Sequence, residues 1–197
     1  MLEEEEETMD EKKARQGLWR ATVAALALAV LVPSCALFDR PDEARIIDQE
    51  TRKLLAIRIN GEVWRLLAKR PRTADEESRM VHAAHASLYH WATAGKLVNV
   101  QRGEWLTSRV YAVLKRPGPA LHHAKQCLEL TRKHNIGDFD LAYAYEGMAR
   151  ALAAAGKHAE CKTYQGLARQ AGDKIKGKGN RELFFSDFRA GPWFGVK

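Results

Sequence analysis

V-L-K-R-P-G-P-A-L-H-H-A-K-Q-C at 113–127 and A-A-G-K-H-A-E-C-K-T-Y-Q-G-L-A at 154–168 are the two stretches that decide the fold. They repeat one another at an offset of 41 residues, which places Lys115 and Gly156 at equivalent turns. Small residues recur at equivalent points of the helices that follow, Ala120 with Cys161 and Cys127 with Ala168. Small side chains let packed helices approach closely, so the repeat predicts helix–turn–helix hairpins that stack on one another.

Apolar residues recur at helical spacing through the rest of the chain, and no strand-like alternation competes with them. The pattern predicts helices over 41–70, 74–94, 98–115, 117–134, 139–155 and 157–175. Thr73 and Glu76 have the spacing of a capping box at the start of the second helix. We therefore predict an all-α fold, a stack of antiparallel helical hairpins with about six or seven helices.

The N-terminal region divides into two parts. Residues 1–16 are polar, with a block of acids followed by bases, and are predicted to form a disordered tail. Residues 17–38 hold an apolar run at 21–32, which is too short to cross a hydrocarbon core of ~30 Å comfortably. Basic residues before a short apolar run are typical of an export signal.

V-P-S-C, at 32–35, resembles a bacterial lipobox, in which the cysteine, here Cys35, becomes lipidated. Three interpretations stay open for this segment: a cleaved lipoprotein signal, an uncleaved membrane anchor, and a misassigned start or a buried helix. The first two predict membrane attachment through residues 21–35 and a membrane-associated or exported lipoprotein. A cytoplasmic protein is the alternative.

The remaining chain is predicted to comprise a helical domain at 41–175 and a basic linker with an aromatic cap at 176–197. Five aromatic residues crowd the segment F-F-S-D-F-R-A-G-P-W-F at 184–194. Such a segment would be poorly soluble if it extended into water. We therefore expect it to dock as a capping helix and hook on the last hairpin.

The charge of the chain narrows the classes of partner that it could bind. The formal net charge is +7 although the first eleven residues carry only acids among their charged side chains, so the body of the chain is basic. A basic body attracts acidic peptides, anionic lipid or nucleic acid, but the absence of a dense Lys/Arg run makes nucleic acid an unlikely partner.

Cys127 and Cys161 lie on predicted apolar helix faces and are interpreted as small buried residues rather than as a disulfide framework.

Four segments resemble a group of small bacterial tetratricopeptide-like proteins of no assigned function: H-A-A-H-A-S-L-Y-H-W at 82–91, R-G-E-W-L-T-S-R-V-Y-A-V-L at 102–114, G-D-F-D-L-A-Y-A-Y-E at 137–146 and F-F-S-D-F-R-A-G-P-W-F-G-V at 184–196. The resemblance runs from about residue 60 to the C-terminus. It implies a right-handed solenoid in which the first helix of each hairpin lines a concave groove. It also implies a non-enzymatic scaffold for protein–protein interaction, without catalytic residues or cofactor.

Six side chains would face that groove if the resemblance holds, paired by the same offset: Arg102 with Tyr143, Trp105 with Glu146 and Arg109 with Arg150. Guanidinium groups contact carboxylates in bidentate geometry, and aromatic rings add apolar contact. The set therefore predicts a groove that binds a protein or peptide partner through an acidic or C-terminal segment. In the alternative, these residues form intramolecular ion pairs, such as Glu146 with Arg150, or lie under the C-terminal tail.

His82, His85 and Tyr89 form a polar stripe on one side of their predicted helix. An alternative function uses His82, His85 and Glu104 in a small metal-dependent enzyme or hydrolase. The H-E-x-x-H and E-x-x-H spacings of common metal sites are absent, so neither a metal nor another cofactor is predicted. A second alternative is a basic helical repeat that binds RNA.

Overall fold

The computed structural model describes residues 47–196, and within them it contains seven α-helices and no strand. The predictions for residues 1–16, 17–38 and 21–35, and for Cys35, lie outside this part. The all-α prediction is confirmed for the described residues. The helices are α1 (Gln49–Ala68), α2 (Ala74–Ala94), α3 (Leu97–Val113), α4 (Pro117–Lys133), α5 (Asp138–Ala154), α6 (His158–Asp173) and α7 (Lys178–Ala190).

Local sequence signals account for most of the helix boundaries. Thr73 accepts a hydrogen bond from the Glu76 amide, and the Glu76 carboxylate accepts one from the Thr73 amide, so the predicted capping box is present. Pro117 begins α4 at a position where a missing N–H costs nothing. The segment interpreted as a linker and cap from 176 contains a helix, α7, which starts at Lys178, so the stretch before the cap is short.

The 41-residue repeat holds at the level of backbone geometry. Helices α3 and α5 each contain 17 residues and begin at equivalent positions. Both end in a left-handed residue, Lys115 with φ 54° and Gly156 with φ 71°. In both turns the next amide donates to a carbonyl five residues earlier, Arg116 to Tyr111 at 2.9 Å and Lys157 to Leu152 at 3.0 Å. This is the hydrogen-bond pattern of a Schellman helix end, so the two hairpins bend in the same way.

Each helix packs on the next one along the chain, and α5 also packs on both α3 and α7. The odd-numbered helices α3, α5 and α7 therefore form one row, which α1 joins through the contact of Trp64 with Trp105, whose ring centroids are 5.9 Å apart. The small residues predicted at the crossings are buried: Ala120, Cys127, Cys161 and Ala168. Both cysteines in this part are free thiols. The packing is consistent with a stack of helical hairpins, in which each helix covers an apolar stripe that its neighbour could not bury alone.

The C-terminal segment packs on α5 and α6 through its aromatic residues. Phe184 is fully buried, and its ring lies directly against Gly172 of α6. A Cβ at Gly172 would come within 2.7 Å of Phe184 Cδ1, so only glycine lets the ring approach this closely. None of the helices between residues 47 and 196 is long and apolar enough to cross a membrane.

Substitution of Gly172 tests this docking. Gly172→Ala should lower the free energy of unfolding by about 1–3 kcal/mol, because the added methyl group collides with a buried ring that has no room to move. Gly166→Ala is the matched control in the same helix, where a Cβ meets nothing within 4 Å. It should raise stability by about 0.5–1 kcal/mol. Chemical denaturation of the two variants measures both effects, and equal stabilities would contradict the proposed role of the close contact.

Candidate functional site

A pocket of about 410 Å³ opens between the odd-numbered helices α1, α3, α5 and α7. Residues one or two periods apart share its wall: Trp64, Trp105 and Asp187 form one column, and Asn60, Gln101 and Leu183 form another. The other lining residues are Arg102, Leu106, Phe139, Asp140 and Tyr143. The repeat offset thus brings side chains from four helices to one concave surface.

Four aromatic rings form a continuous wall of this pocket. The Trp64 and Trp105 centroids are 5.9 Å apart, and Trp105 meets Tyr143 edge to face at 4.9 Å. Phe139 extends the wall, with its centroid 4.6 Å from that of Tyr143. Contacts at these separations fall in the range preferred by aromatic pairs and contribute beyond simple burial. Trp64 stays 38% exposed, so part of the wall faces solvent.

Most of the lining residues are not identified as site residues from the sequence, and Trp64 and Asp187 are two of these. Each of the two lies one period from a residue that is identified: Trp64 is 41 residues before Trp105, and Asp187 is 41 residues after Glu146. Extending the offset by one step in each direction would have found both. The 41-residue offset indicates both positions, but the residue type does not, because the residues at this offset change from Trp64 and Trp105 to Glu146 and Asp187.

Arg102 lies at the rim of the pocket with its side chain 54% exposed. Its Nε and Nη2 donate to the two carboxylate oxygens of Asp140 at 2.7 and 3.0 Å. This bidentate hydrogen bonding raises the pKa of the Arg102 guanidinium above its ordinary value. The guanidinium also lies 5.8 Å from the Phe139 ring centroid. Arg102 therefore lines the pocket, but it already has a carboxylate partner.

Glu146 and Arg150 lie behind the pocket, not on its surface, and this corrects the expectation that all six predicted side chains face the groove. Both side chains are buried, and they form the ion pair given above as the alternative. Glu146 also accepts a hydrogen bond from Trp105 Nε1 at 2.9 Å. Arg150 reaches across to the main-chain carbonyls of Asp187 and Gly191 beneath the C-terminal segment. Burial by α7 and the following turn removes the pair from solvent.

Arg109 lies beside the pocket between two indoles. Its guanidinium carbon is 5.3 Å from the ring centroids of both Trp64 and Trp105, a cation–π arrangement. Nη1 approaches Asp187 Oδ2 at 3.5 Å, close enough for an ion pair but without hydrogen-bond geometry to any described residue. Arg109 is thus held in place by ring faces and by a carboxylate of the chain itself.

Tyr143 lines the pocket, and its hydroxyl reaches α7. The hydroxyl donates to Asp187 Oδ2 at 2.9 Å. Burial, followed by the nearby carboxylate of Asp187, raises the pKa of the Tyr143 hydroxyl far above its ordinary value. The phenol therefore stays neutral and serves as a donor that fixes the ring.

Gln101 contributes an unpartnered polar atom. Its Nε2 donates to Thr131 Oγ1 at 3.0 Å and to the Asp140 carbonyl at 3.2 Å. Its Oε1 is buried and accepts no hydrogen bond from any described residue. Among the buried side-chain atoms without a partner in the described part, this is the one that belongs to a pocket-lining residue.

The polar stripe of His82, His85 and Tyr89 lies on α2, away from the pocket. Tyr89 is 61% exposed, and His85 Nε2 lies 2.9 Å from the Tyr111 hydroxyl. The Glu104 carboxylate pairs with His123 at 2.7 Å rather than with either histidine of the stripe. Residues 47–196 contain no group of three or more His, Cys, Asp or Glu side chains arranged to hold a metal ion.

Comparison with protein-family models, with curated proteins and with solved structures found no match to this chain.

The buried ion pair generates a stability prediction. Glu146→Gln should lower the free energy of unfolding by about 3–5 kcal/mol, because it leaves the Arg150 charge buried without its counter-charge. Glu62→Gln is the matched control, since Glu62 pairs with Arg65 on the surface of α1 and solvent screens that pair. Urea denaturation should show a large loss for the first variant and a far smaller one for the second. Comparable losses would contradict the distinction between the two pairs.

The histidine stripe generates a pH prediction. Partial burial, followed by the proximity of His123, lowers the pKa of His85. The unfolded chain then binds the proton more tightly, so stability should fall as the pH drops below about 6.5. His85→Gln keeps a hydrogen-bonding group but does not titrate, and it should lose less stability over the same range. Melting temperatures across this range measure the two slopes, and a slope as steep in the variant would show that His85 is not responsible.

Proposed function

We propose that this protein is a non-enzymatic, tetratricopeptide-like scaffold that binds a peptide segment of a protein partner in the pocket between its odd-numbered helices. The observation that carries the proposal is the pocket itself, to which all four odd-numbered helices contribute and whose wall includes four aromatic rings. Aromatic residues in a concave, partly exposed position are the usual anchors of protein–protein recognition.

Three observations support a right-handed tetratricopeptide-like solenoid as the architecture. The hairpins repeat at one period, the turns after α3 and α5 share one hydrogen-bond pattern, and helices two apart in the chain pack in a row. In a solenoid the repeated first helices form an extended surface that is suited to a peptide. The lining of the pocket by α1, α3, α5 and α7 agrees with that arrangement.

A binding role also accounts for the pattern of polar contacts. Trp105 Nε1 and the Tyr143 hydroxyl are both engaged by carboxylates of this chain, which hold the rings at fixed angles. A surface fixed before the partner arrives loses less side-chain entropy on binding. The side chains of Trp64, which is 38% exposed, and Leu183, which is 52% exposed, leave apolar surface free to contact a ligand.

Membrane attachment through residues 21–35 and lipidation of Cys35 stay predictions from the sequence. The peptide-binding proposal does not depend on them, because the pocket is built entirely from residues 60–187.

Selection from a displayed library of random short peptides tests the proposal. The immobilised protein should enrich a family of peptides, and Trp64→Ala should weaken their binding by more than about tenfold through loss of the exposed indole face. Tyr89→Ala is the control, because Tyr89 is an exposed aromatic residue on α2 outside the pocket. Circular dichroism of both variants verifies folding. Failure to enrich any peptide, or equal binding by Trp64→Ala, would overturn the proposed function.

A further inference from the structure

We infer that the pocket between α1, α3, α5 and α7 accepts an uncharged aromatic side chain of the partner peptide, not an acidic one. This inference rests on the proposed function and names the chemistry of its ligand. It departs from the acidic or C-terminal segment expected from the sequence, because the structure shows what the three arginines already contact.

Each guanidinium of the predicted groove has a carboxylate partner within the chain. Arg102 is bound in bidentate fashion by Asp140, Arg150 pairs with Glu146, and Arg109 lies 3.5 Å from Asp187. Three positive and three negative groups thus neutralise one another around the pocket. A ligand carboxylate at the exposed Arg102 would meet the charge of Asp140 nearby, which offsets its attraction to the guanidinium. At the buried Arg150 it would have to displace Glu146.

The carboxylates around the pocket also have partners within the chain, which argues against a cationic ligand. Asp187 accepts a hydrogen bond from Tyr143 at 2.9 Å in addition to its contact with Arg109. The faces of Trp64 and Trp105 already carry the Arg109 guanidinium at 5.3 Å. The cation–π position is therefore filled by the chain itself, and a second cation beside it would be repelled.

What the pocket offers is apolar surface of a defined size. Its volume of about 410 Å³ lies near the lower end of the ~300–1,000 Å³ that ligand pockets usually span. That space suits one large side chain with its flanking main chain better than a long charged segment. Trp64, Phe139 and Leu183 supply the walls, and aromatic rings pack on them by offset or edge-to-face contact.

Gln101 adds one directional preference. Its buried Oε1 lacks a donor among the described residues, and an unsatisfied buried acceptor costs free energy that a ligand N–H would recover. The indole of a tryptophan, or the main-chain amide next to the inserted residue, supplies such a donor. Phenylalanine offers only the main-chain amide, so tryptophan is the better occupant of the two.

The composition of the selected peptides tests the inference separately from the proposed function. Peptides that depend on Trp64 should share an aromatic residue, most often tryptophan, and should carry no excess of acidic residues. Replacing that aromatic residue by alanine should abolish binding, whereas replacing any acidic residue should not. Salt should change their affinity by less than about twofold, since no new ion pair forms.

A matched pair of leucine variants locates the contact. Leu183 lines the pocket and is 52% exposed, whereas Leu54 lies on α1 outside it and is 61% exposed. Leu183→Ala should weaken the selected tryptophan peptide several-fold, and Leu54→Ala should leave it unchanged. Because both side chains are exposed, neither substitution is expected to unfold the protein.

The outcomes are distinct. Enrichment of acidic or basic peptides that depend on Trp64, with strong salt dependence, would overturn this inference and leave the scaffold function standing. Self-association of the protein that Trp64→Ala abolishes would place a second copy of the chain in the pocket and would also overturn it. Absence of any enriched peptide would overturn both. A Trp64-dependent, salt-insensitive aromatic consensus that Leu183→Ala weakens would support it.

Discussion

The buried carboxylate of Glu146 connects α3, α5 and, through Arg150, the C-terminal segment. It accepts hydrogen bonds from Trp105 on α3 and from Arg150 on its own helix, α5, while Arg150 continues to the carbonyls of Asp187 and Gly191. One chain of polar contacts therefore spans α3, α5 and the C-terminal segment. Buried charges are tolerated only when they are paired and hydrogen-bonded, so this network requires all three elements to be in place.

The network also determines the character of the pocket in front of it. Because Trp105 donates to Glu146 and Tyr143 donates to Asp187, their rings are held at fixed angles and their apolar faces line the wall. The same carboxylates neutralise the arginines around the site. A surface that looked cationic in the sequence thus becomes, in the folded protein, a partly aromatic pocket whose charged side chains are paired with one another, in a chain whose body is basic.

The C-terminal segment takes part in both the network and the pocket. Its helix α7 repeats the register of α3 and α5 at the same offset, although residue types change along each column. Phe184 packs against Gly172 of α6, and Asp187 and Leu183 line the pocket. The aromatic cap expected from composition is therefore also the fourth contributor to the site, which composition does not reveal.

The sequence by itself determined the helices, their boundaries within one or two residues for α2 to α6, and the equivalence of the hairpins. These features depend on local signals: the Thr73 capping box, helical periodicity, and small residues such as Ala120 and Cys161 at crossings. The tertiary structure alone decided which polar side chains face the pocket. Glu146 and Arg150 occupy positions equivalent to Trp105 and Arg109, yet they lie behind the pocket because α7 and its following turn lie over them. Helical spacing specifies the direction of a side chain around its own axis, but what covers that side chain depends on contacts between residues far apart in the chain.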